Sequence, residues 1–370
     1  MKKLVLFSSI IAASATAQAG SLSLDLRADM NSTNYNEKAE LGNAGISDDT
    51  SDFTKFYIQT GRLDYKGKLN DDTSFRLRWR FAGKDQGAMS KRDSANSTLD
   101  YAYVDHKISD MFSITAGKIS GAVGAFEGST SGADMYFTSE AYNGTSFLNS
   151  GTRLVGFTNN LYTTGVQGTF SMAGQDLMVQ STNSDNSIGR SSSVGNGDVL
   201  ENSKLSQNKT MTGVIYKGAF LEKTLNVILS NHFQNFNSDT KTDLTAFGLQ
   251  YKTEELTAMV EYFVNKYKSL SGTSTLNDQL TSTVVTVKYT LGQWTPVLKF
   301  SSSEEKLDGT TEVKNKYTSY GAAVEFKPKA EDNFRYHIAY NSRTMKPDGS
   351  DDKSMQEVMV GMKILADFLK

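Results

Sequence analysis

Residues 75–81 read Phe-Arg-Leu-Arg-Trp-Arg-Phe, and this alternation constrains the fold more than any other stretch of the chain. In an extended strand, successive side chains point to opposite faces. Phe75, Leu77, Trp79 and Phe81 then share one face, and Arg76, Arg78 and Arg80 share the other. The arginine face needs water and the aromatic face needs an apolar medium. A transmembrane barrel meets both needs, with lipid outside and a wet lumen inside.

Period-two segments of roughly ten residues recur from end to end. Leu22, Leu24 and Leu26 stand opposite Ser23, Asp25 and Arg27. Leu63 and Tyr65 oppose Arg62, Asp64 and Lys66. Leu256, Ala258, Val260, Tyr262 and Val264 oppose Thr257 and Glu261. Phe334, Tyr336, Ile338 and Tyr340 oppose Arg335, His337, Asn341 and Arg343. Short turns are expected near 70–72, 109–110, 173–175, 253–254, 292–293 and 329–332. Between them lie longer segments rich in Asn, Ser, Asp and Gly, at about 31–52, 84–97, 120–160, 184–209, 235–241, 268–278, 304–314 and 344–352. Short turns at one end and long loops at the other are the pattern of an outer-membrane barrel.

The expected fold is therefore all-β, a transmembrane antiparallel β-barrel of about 16 strands, with both termini on the short-turn, periplasmic side. Two segments fit poorly. Residues 54–69 break phase near Phe56 and Ile58, and in 99–108 Leu99, Tyr101 and Tyr103 compete with Ala102, Val104 and Ile108 for the outer face. Pro296 lies inside an expected strand, where a closed barrel has no free edge for a missing donor, so a bulge or strand-end position is expected. In the last strand Val358, Val360, Met362, Ile364 and Phe368 oppose Glu357, Gly361 and Lys363. That strand resembles the C-terminal signal read by the barrel-assembly machinery, although Leu369 and Lys370 follow the aromatic.

The first 19 residues read as an export signal. Lys2 and Lys3 are followed by an apolar stretch too short to span a bilayer, and Ala17-Gln18-Ala19 fits small-x-small cleavage before Gly20. Residues 20–370 then form the barrel as a single domain. The mean hydropathy of −0.42 does not argue against a membrane barrel, whose strands are apolar only at every second residue. The chain has no cysteine, which removes disulfides, thiol catalysis and zinc–cysteine sites. The 39 basic and 41 acidic side chains become 37 against 41 without Lys2 and Lys3, a net of −4 that does not suggest a nucleic-acid partner. Three prolines against 30 glycines, 17 tyrosines and 20 phenylalanines suit long antiparallel strands.

Residues 62–118 carry a family resemblance. Arg62-Leu63-Asp64-Tyr65-Lys66-Gly67, the Arg-bearing strand, and Asp100-Tyr101-Ala102-Tyr103-Val104-Asp105 leading to Ala116-Gly117-Lys118 resemble the phosphate-selective porin O/P family of Gram-negative outer membranes. The resemblance implies a sixteen-stranded trimeric porin whose third loop folds into the lumen. The long non-alternating segment 120–160 is the matching loop. The family often has a Pro-Phe-Gly-like element at the loop entry, where this chain has Ile119-Ser120-Gly121-Ala122.

The function expected from these features is passive diffusion of small hydrophilic solutes through a water-filled pore, with some preference for anions. Lumenal guanidiniums repel cations and offer successive weak sites to anions, and Arg contacts phosphate or carboxylate in bidentate fashion. The expected pore-lining, anion-binding residues are Arg62, Arg76, Arg78, Arg80, Lys118, Arg335 and Arg343. A structural role competes at each, through pairing with loop acids such as Glu127, Asp134 and Glu140. Outer-membrane lipid and lipopolysaccharide, the barrel-assembly machinery and two further copies of the chain are the expected partners. No cofactor is implied.

Other classes are weighed against this reading. A structural or adhesive barrel would use its long polar loops to bind a partner and would conduct little. An enzyme would need a catalytic arrangement around His106, His232 or His337, and none has a nucleophile motif beside it. Acidic residues at Asp48, Asp49 and Asp52 and at Asp351 and Asp352 offer calcium-type ligands without an EF-hand spacing, so no metal site is assigned. A soluble β-sandwich or solenoid would have to bury its apolar faces inward.

Overall fold

Sixteen strands pair antiparallel in chain order, and the first pairs with the last. This computed structural model describes residues 18–35, 53–83, 97–145, 153–154, 156–183, 190–191, 210–235, 241–271, 274–309, 311–329, 333–349 and 351–369. The strands are β1 (Gln18–Tyr35), β2 (Phe53–Lys68), β3 (Thr73–Gly83), β4 (Thr98–Ser109), β5 (Phe112–Ser120), β6 (Tyr162–Met172), β7 (Gln175–Asn183) and β8 (Thr210–Phe220). They continue as β9 (Leu225–Asn235), β10 (Lys241–Lys252), β11 (Leu256–Ser271), β12 (Ser274–Tyr289), β13 (Trp294–Leu307), β14 (Val313–Phe326), β15 (Phe334–Lys346) and β16 (Lys353–Leu369). The expected signal cleavage site lies at the start of β1, and residues 1–17 are outside the described residues. A two-residue ladder also joins Arg153–Leu154 to Arg190–Ser191.

The alternation read from sequence sets the two faces. Leu229, Val260, Tyr262, Phe300, Tyr320, Ile338 and Val360 are exposed on the outside, and Ser230, Glu261, Ser301, Ser319 and His337 are buried within. The barrel closes through a ladder from Leu26 opposite Ile364 to Tyr35 opposite Met355. An unpaired edge strand would present open donors and acceptors, and closure removes it.

Both phase breaks are β-bulges. Arg27 pairs with Thr60 and Ala28 with Ile58, which leaves Gln59 as an extra residue in β2. Phe56 and Ile58 therefore face outward above the bulge, and Leu63 and Tyr65 face outward below it. In β4, Arg78 pairs with Tyr101 and Trp79 with Leu99, so Asp100 is the extra residue. Leu99, Ala102 and Val104 then share the outside, and Tyr101 and Tyr103 turn inward. Pro296 sits beyond the last β12–β13 pair, Lys288 with Val297, so no donor to β12 is missing.

The Ala173-Gly174 turn has positive φ at both residues, 51° and 78°, the backbone of a tight type I′ hairpin. One turn escapes sequence reading. Leu221, Glu222 and Lys223 all take positive φ between β8 and β9, without glycine, asparagine or proline to mark them. The long segment expected at 268–278 is also corrected, since β11 runs to Ser271 and β12 begins at Ser274. Beyond the apolar belt the outer face has no need of apolar residues, so the alternation fades while the hydrogen-bonded ladder continues.

Residues 121–161 join β5 to β6, and their described parts, 121–145, 153–154 and 156–161, fold into the lumen as the third loop. They contain α1 (Phe126–Ser129), a 3-10 turn at Gly132–Asp134 and α2 (Glu140–Asn143). Val123, Ala125, Phe126, Ala141, Leu154, Phe157 and Leu161 pack on an apolar stretch of inner wall formed by Met211, Ile228, Leu244, Ala246, Phe263, Leu280, Val284 and Leu307. Each of the larger of these side chains (Val, Leu, Ile, Met and Phe) taken from water contributes ~1.5–3 kcal/mol. Two wall glycines make room for the loop. A Cβ at Gly248 would stand 2.8 Å from the Phe126 ring, and one at Gly321 would stand 2.5 Å from the Phe137 ring.

Candidate functional site

Charged groups finish the seating of the loop. Glu127 accepts from the Ser139 N–H at 2.8 Å and the Ser139 hydroxyl at 2.5 Å, and pairs with Lys299 at 2.6 Å. Its own N–H donates to Glu261 at 2.7 Å. Asp134 takes Lys363 at 2.6 Å and Arg335 at 3.2 Å. Burial works against the Asp134 carboxylate, but these two cations outweigh it and hold its pKa below the usual value. Arg335 also meets Glu325 at 2.7 Å, to which the Tyr136 hydroxyl donates at 2.9 Å. Arg343 pairs with Glu140 at 3.2 Å and donates to the Thr138 carbonyl at 2.9 Å. Burial pushes the Glu140 carboxyl up to about 7 against the pull of Arg343, with Glu305 and Glu127 adding to the rise. Arg27 donates to the Met135 carbonyl at 2.8 Å, pairs with Asp29 and lies 4.5 Å from the Tyr136 ring centre.

The remaining expected arginines stand on a different wall. Arg62, Arg78 and Arg80 converge on one carboxylate, Asp100, at 3.3, 3.2 and 2.6 Å. The β4 bulge makes this possible, because the extra residue lets Asp100 and Tyr101 both point inward. Arg76 instead holds Asp64 through two bonds of 2.9 and 2.5 Å. Tyr101 lies under Arg76 and Arg78 at 4.3 and 4.1 Å, and Tyr162 lies under Arg78 and Arg80 at 5.1 and 5.7 Å. Cation–ring contacts of this kind hold a guanidinium in place without cancelling its charge.

Lys118 is placed elsewhere. It is in register with Ala102, which pairs with the outward Leu77, whereas the inward Tyr103 pairs with Gly117. The expectation that Lys118 lines the pore is corrected: by register its side chain starts on the outer face. The inward positions of β5 are Thr115, Gly117 and Ile119, so the apparent run Ala-Gly-Lys hides the parity.

The seven expected residues thus divide into three groups. Arg335 and Arg343 bind the loop through its acids Asp134 and Glu140, the structural role weighed from sequence. Glu127, the third expected acid, takes Lys299. Arg62, Arg76, Arg78 and Arg80 pair with strand acids, and Arg62 also donates to Ser131 of the loop at 3.2 Å. The described side-chain hydrogen bonds of residues 121–145 to the wall fall on β1, β2, β9, β11 and β13–β16. The β3–β4 wall keeps partial access to the lumen, with the Arg76, Arg78 and Arg80 side chains 23%, 11% and 32% exposed.

Sequence reading missed the apolar inner wall. Its signal is doubled apolar positions such as Val284-Val285, Met259-Val260 and Ala246-Phe247, where both faces of one strand are apolar. The histidines have separate settings. His106 meets the Thr73 hydroxyl, His232 the Gly121 carbonyl at the loop entry, and His337 meets Asp29 at 2.9 Å beside Tyr136. Among the described residues no acidic or histidine cluster could hold a metal ion, and the Asp48, Asp49 and Asp52 group lies outside them.

A closed sixteen-stranded antiparallel barrel with a long loop seated in its lumen is the fold of outer-membrane porins. Residues 28–198 match the family described as phosphate-selective porin O and P, so the likeness read from residues 62–118 holds over that wider span. No curated protein matches the chain by sequence. Among solved structures, the outer-membrane channel DcaP of Acinetobacter baumannii superposes with a TM-score of 0.61 at 12% identity, over 94% of this chain and 97% of that one. An anion-selective porin from Comamonas acidovorans gives 0.57 at 11% identity, over 94% and 99%. The trimer form of OmpT from Vibrio cholerae gives 0.55 at 11% identity, over 94% and 100%.

Proposed function

We propose that this porin is a passive, anion-preferring channel for small hydrophilic solutes, exported on a cleaved signal of residues 1–19 and assembled as a homotrimer. The observation that carries the preference is the group of three guanidiniums sharing one carboxylate, Asp100. It leaves two net positive charges on the wall away from the main seat of the loop. A lumenal row of fixed cations attracts anions and raises the barrier to cations. The tyrosines beneath keep the guanidiniums aimed, so an anion passing from one to the next meets donors already in position. The match to a family described as phosphate-selective and the likeness to an anion-selective porin agree with this reading, and make phosphate the first solute to try. The trimer is supported by the trimeric form of OmpT. Transport of this kind needs neither energy nor a cofactor.

Single-channel recording of the folded protein in a planar bilayer, with reversal potential taken across a KCl gradient, tests the proposal. An open channel with chloride-favouring reversal is expected, and the preference should fall when Arg76, Arg78 and Arg80 are all changed to Gln. Cation selectivity, or anion selectivity untouched by those changes, defeats the anion argument. A folded barrel that does not conduct defeats the channel.

A further inference from the structure

Within residues 121–145 the third loop makes three short turns, and two of them supply their own start. Ser131 accepts from the Ala133 N–H at 3.4 Å, and Ser139 accepts from the Tyr142 N–H at 3.2 Å. A serine before a turn satisfies its first free N–H groups in this way. The turn at Phe126–Ser129 has Ala125 in that position, which offers no side-chain acceptor. The acceptor comes instead from the wall. Glu261 of β11 takes the Glu127 N–H at 2.7 Å, with the Phe126 N–H beside it, and is 1% exposed. An ionised carboxylate only accepts, so it suits two converging donors.

The ladder prepares the place. Gly248 of β10 is the register partner of Glu261. A Cβ on Gly248 would stand 2.8 Å from the Cβ of Ala125 and 2.8 Å from the Phe126 ring. An opening and an acceptor thus lie side by side across one ladder, where the loop backbone arrives.

From that point the bonds run onward through the loop. The Glu127 carboxylate accepts from the N–H and the hydroxyl of Ser139 and pairs with Lys299, which also donates to the Phe137 carbonyl at 3.1 Å. Ser139 starts the turn that carries Tyr142. The Tyr142 ring meets Phe157 edge-on, with centres 5.2 Å apart, and its hydroxyl lies in the field of Tyr162, Arg62 and Arg80. A chain of bonds that begins on β11 therefore ends beside the arginine wall.

We propose that Glu261 is a positioning residue of the channel: through Glu127 and Ser139 it holds Tyr142 against the arginine wall and so sets the width of the passage there. Glu261 touches no solute itself. The inference rests on the anion-preferring reading of that wall and adds the residue that keeps the loop side of the passage in place. Loss of the carboxylate leaves the Phe126 and Glu127 N–H groups buried without an acceptor, which folded chains avoid, so the turn moves. Tyr142 then withdraws from the guanidiniums.

The test compares single-channel recordings of folded full-length proteins, with folding checked by heat-modifiable mobility. E261A should raise conductance and lower the anion-to-cation permeability ratio by about twofold or more, because a wider passage is better screened. E261Q keeps one acceptor oxygen but turns an NH2 group towards the second donor, so it should fall between parent and E261A. Gly248→Ala leaves Glu261 in place and closes the opening, and should reproduce E261A. Tyr142→Ala should give the same change, and E261A added to it should change nothing further, because residues that act through one another do not add. Additive changes, or parent-like traces from the folded variants, overturn the proposal.

A second measurement needs no conduction. The chain has no cysteine, so Tyr142→Cys makes a single reporter. The thiol is labelled with an anionic and with a neutral thiosulfonate, and the ratio of the two rates is read. Held near Arg62 and Arg80, it should favour the anionic reagent at least about threefold more than it does with E261A added. A ratio unchanged by E261A overturns the proposal, even for a barrel that is closed or cation-selective, so failure of the positioning and failure of the anion reading are told apart. If E261A does not fold, E261Q and Gly248→Ala carry both measurements.

Discussion

Asp100 is the residue on which the candidate site turns. One carboxylate holds Arg62, Arg78 and Arg80, and it reaches them only because it is the extra residue of a bulge. Asp100→Asn keeps the shape and removes the negative charge, which should shift the reversal potential further towards chloride. A unit charge at about 4 Å is worth ~1 kcal/mol even in bulk water, with opposite sign for anions and cations, so the anion-to-cation permeability ratio should rise on the order of thirtyfold. A ratio that stays constant would mean that the ions pass far from this cluster. The arginine row itself was legible in the sequence because every second residue carries a guanidinium. Its counter-charge was not, since Asp100 sits out of phase until the bulge is known.

The third loop works as an element because an apolar patch and a set of ion pairs seat it on the same stretch of wall. Phe157 is 1% exposed, packs against Phe263 with ring centres 5.4 Å apart and touches the ring of Tyr142. Phe157→Ala leaves a cavity in that seat and should cost ~3–5 kcal/mol of loop packing. The barrel should still fold, since its ladders do not pass through Phe157. Single-channel traces should then show higher or noisier conductance, and traces like those of the parent would count against the loop as the constriction. Sequence reading found the loop as the longest segment without alternation and named its acids. It did not find the seat, because lumenal residues of a barrel are expected to be polar and the apolar half-positions read as noise.

At the scale of the molecule, closure through β1 and β16 removes the last free edges and makes the outer surface continuous. The outer surface is not uniform. The long-loop end of β10–β15 carries opposed lysines, Lys241 with Lys268, Lys306 with Lys314 and Lys316 with Lys346, and the same end of β1 and β16 carries the uncharged Ser32, Asn34, Ser354 and Gln356. A trimer sets two different patches of each protomer against its neighbours, and such heterologous contacts close into a ring when the rotation fits. Cross-linking in mild detergent, followed by mass measurement, should give three times the protomer mass, and a species that remains at one protomer at all cross-linker concentrations would remove the trimer.

The sequence by itself determined the fold class, the two faces of most strands and the end that carries the long loops. Each of these follows from alternation between lipid and water, which is local and needs no knowledge of distant residues. Tertiary structure alone decided which arginines remain available to the lumen. Arg335 and Arg343 are drawn to Asp134 and Glu140 of the loop, more than two hundred residues away in the chain, while Arg78 and Arg80 share an acid on the next strand. It also decided the face of Lys118, because parity within a short strand is fixed by its ladder with β4 and not by its own composition. Charge and periodicity are properties of a segment, whereas pairing and register exist only between segments.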